Sequence, residues 1–213
     1  MGSLYINDVI KTAQKYIGYH EGPNNDNWFA DVLDECNYFA PQKKQNVPWC
    51  AVFCDCICLL AAIPSDRDND AKKYDAQYFL YQPSYNNYSA SASMFASYFK
   101  NAGAWYQEPK IGDMIFFANS SGISHVGIVE DIDGCITTIE GNAGDMVQRK
   151  WYDFDDARIA GFGRPRYDGT GDEIPEDPTE DETTIEKTVN IDILVDADES
   201  IKVNVNVHRV NND

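Results

Sequence analysis

The chain has 213 residues, 43% of them hydrophobic and 24% charged, with a formal net charge of −18 at pH 7. That length suits one core-bearing domain with a small appendage, and the composition excludes a disordered or collagen-like chain. The acidic excess argues against nucleic acid or an anionic membrane as partner, because its field repels phosphate. No apolar run of about 18 residues and no basic-then-apolar leader is visible, so the sequence predicts synthesis in the cytoplasm without a signal peptide or membrane span.

Ile6, Val9, Ile10, Ala13 and Ile17 recur at helical spacing, as do Phe29, Val32, Leu33 and Cys36, which predicts two amphipathic helices. A third helix opens at Pro48-Trp49-Cys50 and stays apolar on nearly every side through Ala62, which marks it as the buried central helix. The tyrosine- and serine-rich run 78–93 fits a surface loop, and its rings and hydroxyls are of the kind that contact glycan or peptide ligands. A fourth helix is predicted from Ser91, as N-cap, to Gly103. From Ile111 onward the pattern changes to period two, in the short segments GDMIFF, SHVGIVEDI, CITTIEGN, VQRKWYDF and IAGFGRPRY. Helices followed by an antiparallel sheet make an α+β domain.

Charge then marks a boundary near Asp168: residues 168–213 carry 14 acidic and 3 basic side chains, against 21 and 14 for residues 1–167. We divide the chain into a main domain (1–167), an acidic, self-repelling linker (168–186) and a C-terminal β-hairpin (187–213) whose strands alternate Val and Ile with polar residues. Two strands alone are marginal in water, so the hairpin is expected to bury its apolar face against the main domain, a ligand or, as the favoured case, a second copy of itself in a homo-oligomer.

Six cysteines stand at 36, 50, 54, 56, 58 and 135, four of them within nine residues, which suits reduced thiols better than a disulfide framework. Cys50 opens a helix, where unpaired N–H groups and the dipole favour a thiolate; Cys54 and Cys58 on the same face are expected to pack in the core. A thiolate nucleophile needs a base, and a third group to orient that base. Of the three histidines, His20 reads as structural or surface, His208 lies in the hairpin, and His125 opens the strand HVGIVEDI. Asp133-Gly134 signals a two-residue type I′ turn, which places Glu140 opposite Gly127 and Asn142 opposite His125. Glu140 or Asn142 can then hydrogen-bond the imidazole while Gly127 leaves a gap for reacting atoms, and Val126, Ile128 and Ile139 on the other face belong to the core.

The order PWCAVF, GDMIFF, SHVGIVE, TTIEGN and GFGRPRY over residues 5–167 resembles the CHAP family, the cysteine, histidine-dependent amidohydrolases/peptidases of papain-like fold. The resemblance implies a hydrolase of bacterial cell-wall peptidoglycan, an endopeptidase or N-acetylmuramoyl-L-alanine amidase, acting at the wall after phage-type lysis or export. By position Cys50 matches the nucleophile, His125 the base and later acid, Glu140 the orienting carboxylate and Asn142 a further polar residue sharing that role. The Cys50 N–H is a natural oxyanion donor, with Gln45 or Asn46 a possible side-chain partner. Some members carry an Asp-rich calcium loop before the nucleophile; here the stretch is APQKKQNVPWC, without a carboxylate, so neither a metal nor another cofactor is expected. The alternatives are a papain-like enzyme acting on a soluble peptide and a non-catalytic wall- or partner-binding module.

Overall fold

The computed structural model describes residues 1–62, 66 and 68–171, and the backbone of two further strands at 190–195 and 201–206. The first compact unit spans Met1–Ile174. It holds helices α1 (Ile6–Gln14), α2 (Trp28–Glu35), α3 (Cys50–Ala61), α4 (Asn69–Phe79) and α5 (Ala92–Asn101). Strands β1 (Trp105–Tyr106), β2 (Met114–Asn119), β3 (Gly122–Asp131), β4 (Ile136–Glu140), β5 (Gln148–Tyr152) and β6 (Ile159–Gly163) follow. The strands form one antiparallel sheet in the order β1-β6-β2-β3-β4-β5, so the chain has an α+β fold.

Helix α3 lies at the centre, with α1, α2 and α4 packed around it and β3 and β4 against it. Every residue of α3 but Leu60 is buried, as its uniformly apolar sequence requires. Trp49, immediately before it, is fully buried, stacks on Phe29 at 5.5 Å and donates its indole N–H to Glu21. Val126, Ile128 and Ile139 face this helical core, while Ile115, Phe117, Val129, Ile136 and Phe162 form a smaller apolar cluster.

One carboxylate sits inside the apolar helix. Asp55 is fully buried; Gln82 Nε2 donates to one of its oxygens and Ser89 Oγ to the other, each at 2.6 Å. Tyr38 Oη and Asn87 Nδ2 donate to Gln82 Oε1, both at 2.9 Å, so a buried polar network fastens the 82–89 loop to α3. Burial raises the Asp55 carboxyl to about 7, against the lowering effect of its hydrogen bonds. The folded protein thus keeps a proton that the unfolded chain releases above pH about 4, and stability falls as pH rises from there to about 7. Asp55→Asn should remove that slope, raising stability at pH 8 by at most about 4 kcal/mol and leaving it nearly unchanged at pH 4.5. Urea unfolding at the two pH values checks this.

Helix α4 was not anticipated. Its sequence, NDAKKYDAQYF, lacks an apolar stripe, but Asp68 caps it by accepting the Ala71 N–H at 2.8 Å, and Lys73, Asp75 and Gln77 are buried along it. The second unit, Pro175–Asp213, contains strands β7 (Asn190–Val195) and β8 (Ile201–Asn206), paired antiparallel with Val195 opposite Ile201. Residues 172–189, most of the expected linker, lie outside the described residues.

Candidate active site

The site forms where the start of α3 meets β3 and β4. Cys50 is the first residue of α3 and 7% exposed. His125 on β3 stands beside it, near enough for Cys50 to raise the imidazole pKa, and the imidazole Nε2 lies 2.8 Å from Glu140 Oε2 on β4. Glu140 is 2% exposed, and its other oxygen accepts from Thr138 Oγ1 at 2.7 Å and Tyr152 Oη at 2.8 Å. Two hydroxyls thus fix the carboxylate, which in turn fixes the ring in one orientation.

Electrostatics follow from this sandwich. Burial lowers the His125 pKa, but hydrogen bonds and charge from Cys50 and Glu140 outweigh it and push the imidazole up to about 10. Burial raises the Glu140 carboxyl, but the hydrogen bond and charge of His125, with Thr138 and Tyr152, take it below the ordinary range. The ring is held as imidazolium between two groups that can bear negative charge.

Gly127 and Glu140 meet, as the predicted register requires, but the backbone does not bring them together through a type I′ turn. Asp133 has no positive φ, so the turn is not type I′; Asp131 pairs with Thr137 around a longer loop. A bulge between Val129 and Asp131 absorbs the extra residue, after which Val129 faces Thr138 and Ile128 faces Ile139, the expected register. Gly127 does not leave a gap. A Cβ there would lie 2.5 Å from Glu140 Cγ, so the glycine makes room for the carboxylate side chain to cross towards His125. Gly141 works similarly, since a Cβ there would lie 2.4 Å from Phe53 Cβ; its absence lets the end of β4 close on α3.

Asn142 sits beyond the end of β4 with φ 56°, and its side-chain amide donates to Asn25 Oδ1 at 3.3 Å, whereas Glu140 takes the His125 ring. Neither Gln45 nor Asn46 stands ready as an oxyanion donor. The Gln45 amide spends both N–H groups on Asn27 O and Asp31 Oδ1, at 2.8 and 2.9 Å, and Asn46 Nδ2 donates to Asn24 O at 3.2 Å. Asp34 accepts the Lys44 N–H at 2.9 Å and the Gln45 N–H at 3.2 Å, so side chains of the protein itself pin the loop before Cys50. Cys54, Cys56 and Cys58 are fully buried with thiols raised well above the ordinary value, chiefly by burial, as core packing requires.

Cys50 lines a cleft of about 410 Å³ bounded by Lys44, Val47 and Pro48, by Tyr88 to Met94 and by Ile123 and Ser124. Part of the tyrosine- and serine-rich run is therefore a wall of the site. Thr138, two residues before Glu140 on β4, reaches it along the same face of the strand, whereas Tyr152 reaches it from β5 across the β4–β5 pairing, which residue identity alone does not reveal.

Residues 42–142 match the family model of the CHAP domain, a shorter span than the sequence motifs suggested. Neither the curated proteins nor the solved structures give a match. No helix among the described residues is long and apolar enough to cross a membrane. The matched span runs from the loop before Cys50, through the strand that carries His125, to two residues past Glu140; over these residues the chain carries a CHAP domain, the domain of the cysteine, histidine-dependent amidohydrolases/peptidases.

Proposed function

We propose that the protein hydrolyses an amide bond of bacterial cell-wall peptidoglycan, with Cys50 as nucleophile, His125 as acid and base, and Glu140 as the group that orients His125. The placement of His125 between Cys50 and Glu140, with its Nε2 2.8 Å from Glu140 Oε2, carries the reading. The Cys50 sulfur attacks the amide carbonyl carbon, and His125 delivers its proton to the departing nitrogen as the C–N bond breaks, leaving a thioester. His125, now neutral, takes a proton from water, whose oxygen attacks the thioester and releases the acid and the Cys50 sulfur. The Cys50 N–H, in the first turn of α3, has no intrahelical acceptor and is a donor for the oxyanion.

The cleft is open and partly apolar, suited to an extended peptide or peptidyl-sugar substrate. The test is digestion of purified walls from several Gram-positive genera, with mass spectrometry of the products. New peptide amino termini mark an endopeptidase, and free lactyl carboxylates with released stem peptides mark an amidase. Walls left intact by folded, reduced enzyme would move the substrate to a soluble peptide. Because Asp34 and Gln45 already hold the loop before Cys50, EDTA should leave the rate unchanged; a loss restored by calcium would contradict this.

A further inference from the structure

A second pocket, of about 490 Å³, opens between α4, α5 and the segment after β6, and Cys50 is not among its lining residues. Tyr74, Tyr78, Tyr81 and Tyr98 line it, with Gln77, Asn101 and Arg166. Gln77 is 2% exposed; its Nε2 donates to Tyr38 O at 2.9 Å, but its Oε1 is buried without a hydrogen-bond partner, the single such side-chain atom among the described residues. A buried acceptor left unpaired costs about 1–3 kcal/mol, and this one belongs to a residue that lines the pocket.

Arg166 is the pocket's one charged side chain, and it is already engaged. Its guanidinium lies over the Tyr81 ring at 3.9 Å and the Tyr78 ring at 4.5 Å and donates to Tyr78 O at 2.9 Å. What remains on offer is tyrosine surface and planar amides, in a domain whose residues 1–167 hold 21 acidic against 14 basic side chains. That combination suits a neutral ligand rich in hydroxyl and amide donors, with C–H faces to lay on aromatic rings, rather than a carboxylate.

The two pockets adjoin. Met94, in the Cys50 cleft, and Tyr98 and Asn101, in the second pocket, follow one another at four and three residues along α5, on one face and within about 10 Å of axis. The Tyr88 N–H, on the cleft side, donates to Tyr98 Oη at 3.1 Å. We propose that this pocket is a saccharide subsite that holds N-acetylated sugar units of a glycan strand while an amide attached to that strand lies at Cys50. The choice of ligand rests on the wall-hydrolase reading; the pocket and its orphan acceptor do not.

The test uses full-length Cys50→Ala protein and two probes followed by ligand-observed NMR: an N-acetylglucosamine tetramer, and an acetylated tripeptide with a free carboxylate. The tetramer should bind saturably, and Tyr78→Ala should weaken it about tenfold in protein that remains folded. Tyr74→Ala, at an exposed ring, should act in the same direction and covers the case in which Tyr78→Ala fails to fold. No tetramer binding, binding indifferent to both variants, or binding of the tripeptide alone overturns the proposal. Tetramer binding with walls left uncut would instead sink the wall-amide reading and leave the subsite standing.

Discussion

Replacing Cys50 with alanine abolishes hydrolysis, a loss of at least about 10⁴-fold in kcat, while the fold survives. The sulfur is the one reactive atom at the junction of α3, β3 and β4, and the other cysteines offer no substitute. Cys54, Cys56 and Cys58 point into the core with thiols raised by burial, and Cys36, also buried, is raised by burial above all. Iodoacetamide should therefore label Cys50 in wild type and, with the half-buried Cys135, give at most two fast adducts in the folded protein. Rapid labelling of Cys54 or residual activity of Cys50→Ala above about 1% would show that the nucleophile lies elsewhere.

Glu140→Gln should cost about 10²–10⁴-fold in kcat while leaving substrate binding nearly unchanged. Its signature is a shift with pH. The imidazolium form of His125 persists until pH passes its raised value of about 10, and the Glu140 charge is one cause of that elevation. Without that charge the His125 value falls, and the alkaline limb of the activity profile moves to lower pH. The same linkage affects stability: a histidine raised in the folded state contributes stability that is complete below about pH 6.5 and lost as pH rises to about 10. Glu140→Gln should lose that contribution too. Gly127→Ala should mimic it with the carboxylate intact, because a Cβ 2.5 Å from Glu140 Cγ forces the side chain away from His125. A Gly127→Ala enzyme of full activity would show that Glu140 does not act through its position.

The legible parts of the fold were those whose chemistry is repetitive. The all-round apolar helix CAVFCDCICLLA and the alternating strands are plain in the sequence, and Cys50 and His125 follow from helix-terminus and cross-strand reasoning, which leaves Glu140 or Asn142 as the orienting group; only the resemblance to the CHAP family picks out Glu140. Helix α4 was hidden because its hold is polar: a capping Asp68, a Lys73 bonded to Cys36 O and a Gln77 bonded to Tyr38 O leave no apolar period to detect. Asp55 was the visible exception inside an apolar helix, and a lone carboxylate there is a signal that a polar network is buried nearby. The β3–β4 register came out right although the turn was wrong, since a longer loop and a bulge offset each other, and neither leaves a mark in residue identity. Asn142 shares a motif with Glu140 but not a strand, and the end of β4 sends its amide to Asn25 instead.

Cys50 is tested as the nucleophile by stopping the reaction in acid during turnover on soluble wall fragments and mapping the enzyme by mass spectrometry. A fragment acyl group should appear on Cys50 as a thioester, removable by hydroxylamine and absent from Cys50→Ala. Product forming at the full rate with no adduct on Cys50, or with the acyl group on another residue, would contradict that role.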